Sequence, residues 1–102
     1  MNTQELEQAV SQVNAGTAHL LDVRRDEEWQ LSHAKPAMHF DSGKILDQNQ
    51  LPDLPKEATI YVYCQSGGRA GRVKNKLLAE GFLDVRNLGG LVDWQSVGGE
   101  VE

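Results

Sequence analysis

Strand-like and helix-like segments alternate along the whole chain, and this predicts an α/β fold: a central, mostly parallel sheet of about five short strands with helices on both faces. Three observations support that expectation. Short apolar runs bounded by turn residues are separated by stretches with helical spacing. The strongest run, ATIYVYC at residues 58–64, is apolar on both faces and rich in β-formers, the pattern of a strand covered on both sides. Each interval between strands carries a helical segment, as parallel connections require.

In residues 4–15, Leu6, Ala9, Val10 and Val13 recur at helical spacing, with Thr3 offering an N-cap and Gly16 a stop. HLLDV, residues 19–23, reads as a buried strand opening onto a loop. In RDEEWQLS, Asp26 offers a cap to a short helix that would turn Trp29 and Leu31 inward. AMHF, residues 37–40, is a second strand after Pro36. Between Asp41 and Lys56 the pattern weakens, and the spacing of Leu46, Leu51 and Leu54 allows one or two helical turns before Pro55. After the strand at 58–64, a helix is expected over 70–80, with Val73, Leu77 and Leu78 inward, Arg72, Lys74, Lys76 and Glu80 in water, and Gly81 ending it. FLDVRNL supplies a strand around 84–87, and GGLVDWQSV a last short helix anchored by Leu91, Val92 and Trp94.

Composition narrows the function classes. A chain of 102 residues makes one domain, 1–102, able to fold without disulfides or a structural metal. A net charge of −5 opposes general affinity for a nucleic-acid backbone. The single cysteine permits no internal disulfide and no Cys/His zinc spacing, so neither metal nor cofactor is expected. No apolar run approaches the roughly 18 residues of a membrane span. The polar, acidic start MNTQELEQAV lacks the features of a signal peptide. A reduced lone thiol favours the cytoplasm, with a periplasmic location open if a leader was removed. A monomer is expected.

The chemistry concentrates in YVYCQSGGRAGR. Cys64 ends the strongest strand, and in parallel sheets the reactive crevice lies at the carboxyl ends of strands. Gln65, Ser66, Gly67, Gly68 and Arg69 join that strand to a helix in few residues, and the glycine pair frees the backbone to turn its N–H groups inward. Such a nest at a helix N-terminus binds negative charge. An ordinary thiol has a pKa of about 8.5, and lowering it by two units needs about 2.7 kcal/mol. Several charge-assisted bonds from the amides, with Arg69 and Arg72 nearby, are sufficient for that. A buried, inert core thiol is the plain alternative; the glycines, the arginine and the strand-to-helix junction together favour a reactive one. His33 and His39 are expected in loops rather than in a Cys-His dyad. Asp22 and Glu28 lie near the end of a neighbouring strand, where either can anchor an arginine of the loop.

These residues resemble the rhodanese family of sulfurtransferases over residues 20–94. LLDVRRDEEW, with Asp22, Arg24 and Glu28, resembles the family's opening Asp-Val-Arg strand and acidic-aromatic helix. SHAKPAMHF resembles its His-Ile-Pro-Gly-Ala-Ile segment, with Lys35 and Ala37 as departures. CQSGGRA, ending in Ala70, resembles the active loop, and NLGGLVDW the closing Gly-Gly and Trp signature. The resemblance implies a relay in which Cys64 takes a sulfane sulfur from a donor such as thiosulfate and passes the persulfide sulfur to a thiophile, either partner being a small molecule or a protein. It leaves open whether Arg69 shapes the loop or holds the donor. Two other classes use similar parts. A sulfur-relay or redox-sensing module would share the loop. Cysteine phosphatases and arsenate reductases place five residues between cysteine and arginine; here four intervene, and Ala70 stands where the phosphoryl-binding arginine would be.

Overall fold

The computed structural model describes residues 1–102. Along the chain it contains α1 (Thr3–Asn14), β1 (His19–Asp22), α2 (Asp26–Leu31), β2 (Met38–His39), α3 (Ser42–Leu46), β3 (Thr59–Cys64), α4 (Gly68–Ala79), β4 (Asp84–Gly90) and α5 (Leu91–Ser96). The strands form one sheet in the order β2-β1-β3-β4, every pair parallel. The sheet therefore has four strands where about five were expected. The runs at 19–23, 37–40, 58–64 and 84–87 each give one strand, and residues 41–58, read as one or two helical turns, hold the short helix α3 and then an irregular stretch with Pro52 and Pro55, so no further run remains to supply a fifth.

β3 is central, paired with β1 on one side and β4 on the other. Its side chains alternate between two cores, as the period of a strand dictates. Tyr61 and Tyr63 enter a core with Leu6, Val10, Val13, Leu20, Leu88 and Trp94, under α1 and α5. Ile60, Val62 and Cys64 enter the opposite core with Leu21, Ile45, Ala70, Val73, Leu77 and Phe82, under α3 and α4. This parity has a direct consequence: the cysteine points to the face that carries the helix following it.

Several local expectations shift. Asn2, not Thr3, caps α1: its side chain accepts from the Glu5 N–H at 2.8 Å while Glu5 accepts from the Asn2 N–H at 2.9 Å. Asp26 is the first residue of α2 rather than its cap, because Glu28 reaches back to the Arg25 N–H at 3.1 Å. Asp41 caps α3 through the Gly43 N–H, and Leu46, Leu51 and Leu54 lie partly buried against the second core. α4 begins two residues earlier than expected and β4 runs on to Gly90.

The apolar anchors differ most. No residue of α2 is buried: Leu31 is 86% exposed, and Trp29 packs between the rings of His33 and His39 instead of entering the core. In α5, Trp94 is fully buried and Leu91 half-buried, but Val92 is 67% exposed. Val73 and Leu77 face inward from α4, whereas Leu78 turns outward. No helix is long and apolar enough to cross a membrane.

The two adjacent leucines of α4 give a test of this assignment. Leu77→Ala should lower unfolding stability by about 2–5 kcal/mol through the lost burial and residual cavity. Leu78→Ala should change it by less than about 1 kcal/mol. Urea titration of both variants checks it, and equal losses would contradict the packing described.

Candidate active site

The site begins with the end of β3. Cys64 is the last residue of the strand, and the chain turns within Gln65, Ser66 and Gly67 into α4. Gly67 takes φ +102°, a conformation L side chains rarely adopt, and so brings the first amides of the helix back over the thiol. The Gly67 N–H reaches Cys64 Sγ at 3.0 Å and the Ala70 N–H at 3.4 Å. Burial pushes the Cys64 thiol up, but the amides of Ala70, Gly67, Ser66 and Arg69 together outweigh it and hold the thiol below its ordinary value. Cys64 is 1% exposed, so negative charge placed on its sulfur is met by the protein rather than by water.

The loop is held from two directions. Arg69 donates both guanidinium arms to Glu28 of α2, at 2.7 Å and 3.0 Å. This bidentate bond, opposed by burial and aided by the Arg25 N–H, lowers the Glu28 carboxyl to about 2. α2 is itself tied to β1 by a buried cluster. Asp22 accepts from Arg24 Nη2 at 2.7 Å, Arg24 Nη2 also donates to the Ser32 carbonyl at 2.6 Å, and the Tyr63 hydroxyl donates to Asp22 while accepting from the Ala34 N–H at 3.0 Å.

The second support comes from β4. Its pairing with β3 slips between Val62 and Tyr63, so Val62 faces Asn87 and Tyr63 faces Gly89, leaving Leu88 as an extra residue. The bulge aims the Asn87 amide at the loop: Nδ2 donates to the Gly67 carbonyl at 3.0 Å, and Oδ1 accepts from the Gly89 N–H at 2.9 Å. Gly90, opposite Cys64 in register, lies so close to the Gln65 carbonyl that a Cβ there has no room. Beside the loop a cavity of about 300 Å³ opens, lined by Gln65, Arg24, Glu28, Leu31, Val92 and Gln95 among others. No cluster of three or more His, Cys, Asp or Glu side chains is placed to hold a metal.

A family model described as "Rhodanese-like domain" matches residues 4–97. The chain belongs to the rhodanese-like domain family. Among curated relatives it is 34% identical over 75 residues to the thiosulfate sulfurtransferase PspE of Escherichia coli, covering 74% of this chain and 72% of that one. It is 30% identical over 78 residues to the thiosulfate sulfurtransferase GlpE of Coxiella burnetii, covering 76% and 71%. The crystal structure of the Alr3790 protein from Anabaena superposes with a TM-score of 0.82 at 29% identity, covering 95% of this chain and 88% of that one. Other relatives are longer, and the chain spans as little as 19% of their length.

Within this rhodanese-like site, Cys64, Gly67, Arg69 and Ala70 come together as the loop implied, with Gly68 opening α4 and Gln65 and Ser66 exposed at its mouth. Glu28 is the carboxylate that anchors the loop arginine. Asp22 does not; it is buried and bound to Arg24 and Tyr63. Arg72 is exposed and makes no hydrogen bond or ion pair with the thiol, because its position on α4 faces away from the buried stripe of Ala70 and Val73. His33 and His39 stack on Trp29, and neither hydrogen-bonds to the thiol. Three contributors escaped sequence reading. Tyr63 read only as a core aromatic, Asn87 only as a strand end, and Gly90 only as half of a glycine pair. A glycine beside a predicted strand end is a signal of close backbone approach, and that one was available.

Two outcomes are expected. Titrating the single thiol by ultraviolet absorbance should give a midpoint below that of the same thiol in the unfolded chain, and Gly90→Ala should move it upward by displacing the Gln65 carbonyl and the amides after it. An unchanged midpoint in the variant would contradict the cradle. Glu28, lowered in the folded state, contributes stability that is full above its unfolded value of about 4.3 and is lost as pH falls toward 2. The difference in unfolding stability between wild type and Glu28→Gln should therefore be constant from pH 6 upward, on the order of 1–2 kcal/mol after allowance for partial exposure, and should shrink below about pH 4. A difference that grows as the pH falls would contradict the clamp.

Proposed function

We propose that the protein is a sulfurtransferase that carries a sulfane sulfur on Cys64 between a donor such as thiosulfate and a thiophilic acceptor such as cyanide or a thiol. The observation that supports this most directly is the set of main-chain N–H groups converging on Cys64 Sγ at the end of β3. The names of the PspE and GlpE relatives support the same reaction class.

In the first half-reaction the Cys64 thiolate attacks the outer sulfur of thiosulfate. The sulfur–sulfur bond of the donor breaks, its electron pair leaves with sulfite, and Cys64 becomes a persulfide. The cradle that holds the thiolate then faces the anionic terminal sulfur, an electrostatic role like that of an oxyanion hole. In the second half-reaction the acceptor attacks that terminal sulfur, and the electron pair of the breaking bond returns to Cys64 Sγ. Arg69 acts as a positioning residue: with both arms on Glu28, it fixes the loop rather than reaching for the donor. The chemistry asks for a reduced thiol, which a cytoplasmic location supplies.

The phosphatase reading finds no support in the site. Ala70 stands where the phosphoryl-binding arginine would be needed, and its buried methyl offers an anion nothing beyond the backbone.

Incubation with thiosulfate should add one sulfur atom to the intact mass of the wild type, and cyanide should release it as thiocyanate. Cys64→Ala should take up none. Equal labelling of the two proteins, or no labelling of the wild type, would sink the proposal.

A further inference from the structure

The Gly67 carbonyl is held twice. It accepts from the Gly71 N–H at 2.9 Å, the first bond of α4, and from Asn87 Nδ2 at 3.0 Å. A trans peptide is planar, so the N–H of Gly68, on the far side of the same unit, points away from Asn87. Gly67 is left-handed and Gly68 helical, and successive N–H groups in that order of conformations line one concave side. On that side the Gly67 N–H reaches Cys64 Sγ at 3.0 Å. The orientation of the Gly67–Gly68 peptide therefore decides whether the side where the sulfur lies is offered an N–H or a carbonyl oxygen.

Nothing in the observed conformation requires glycine at position 68. Gly67 has its φ of +102° as a reason; Gly68 is not among the residues with positive φ, its backbone is helical, and a Cβ there would meet nothing within 4 Å. Glycine at a helical position costs stability relative to alanine. What it permits is a half-turn of the Gly67–Gly68 peptide, which carries both residues into backbone regions that only glycine occupies readily. That half-turn withdraws an N–H from the concave side and puts the Gly67 oxygen in its place. It also breaks both bonds to that oxygen, one belonging to the helix and the other to Asn87. The Asn87 amide is itself fixed end for end, because Oδ1 accepts from the Gly89 N–H at 2.9 Å and so Nδ2 faces Gly67.

We infer that Asn87 is a positioning residue for the thiol: its carboxamide latches the Gly67–Gly68 peptide in the orientation that offers Cys64 an N–H instead of a carbonyl. Asn87 makes no hydrogen bond to the sulfur and does not line the cavity, so it acts through Gly67. The pair of glycines makes the turn able to take two states, and the side chain from β4 selects one. As a statement about transfer this rests on the sulfurtransferase reading; as a statement about the acidity of the thiol it stands without it.

A double-mutant cycle tests it. Asn87→Ala and the isosteric Asn87→Asp, whose carboxylate has no proton for the Gly67 carbonyl, are each made in the full chain and again in the Gly68→Ala background, where the half-turned peptide is closed to a side chain. The thiol is titrated by ultraviolet absorbance, and persulfide formation from thiosulfate at neutral pH is timed by intact mass. With Gly68 in place, loss of the Asn87 donor should move the titration midpoint upward and slow loading about ten-fold; in the Gly68→Ala background the same loss should slow it less than about two-fold. Comparing backgrounds cancels the added charge of Asn87→Asp and any general loosening, which act alike in both. Asn87→Asp also keeps the side-chain volume, so the comparison survives if Asn87→Ala does not fold. Equal losses in the two backgrounds, or a midpoint that neither substitution moves, would overturn the latch. Midpoints that shift as expected in proteins that never load would leave the latch standing and sink the transfer reading alone.

Discussion

A buried sulfur at the end of the central strand, met by main-chain amides, sets the terms for the rest of this structure. Burial alone favours the neutral thiol, and the main-chain N–H groups of Ala70, Gly67, Ser66 and Arg69 outweigh it, holding the thiol below its ordinary value. Those amides come from the turn between β3 and the first residues of α4, so their aim depends on where the strand stops, which way Cys64 points and how tightly the turn closes. The two-residue period of β3 settles the direction, by placing Ile60, Val62 and Cys64 on the α4 side of the sheet. Gly67 settles the closure, through a backbone angle of +102°.

A turn of few residues with exposed Gln65, Ser66 and Gly68 has little core of its own to hold it, so the fold brings supports from both flanks. On the β1 side the chain of contacts runs from buried Asp22 through Arg24 to the Ser32 carbonyl, which fixes the end of α2, and from α2 through Glu28 to Arg69. On the β4 side the bulge turns Asn87 onto the Gly67 carbonyl, and Gly90 lets the strand approach Gln65. The buried ion pair is better understood as fixing geometry than as adding stability, since desolvation offsets much of its attraction. Its effect is to make α2, the loop and β1 one unit.

The sequence made parts of this legible where local rules and tertiary packing agree. β1, β3, the strand-to-helix turn and the place of Cys64 at its start followed from apolar runs, paired glycines and a lone thiol at a strand end. Glu28 could be proposed as an anchor because a carboxylate near a parallel strand end lies close to the neighbouring loop. Choosing Glu28 over Asp22 required three dimensions, because Asp22 is claimed by Arg24 two residues away and by Tyr63 forty-one residues away. Periodicity misplaced Leu31, Leu78 and Val92 for one reason: in helices of six residues, or at the edge of a stripe, an apolar residue satisfies the pattern equally well whether it faces the core or a groove. Asn87 was hidden because a bulge has no sequence signature strong enough to show which side chain it will redirect.

A division of labour follows from the materials of the site. The cradle is built from main chain, so its chemistry toward sulfur does not depend on which side chains stand at positions 65 and 66, provided that the turn closes. The side chains around the cavity come mostly from α2 and α5, and the loop adds Gln65. α2 serves both tasks: its Glu28 face holds the loop arginine, while its last residue, Leu31, stands at the rim. Leu31 therefore belongs to the same six-residue helix that restrains the amides over the sulfur. The rim of the cavity and the geometry of the cradle thus share one element, so the two cannot vary with complete independence.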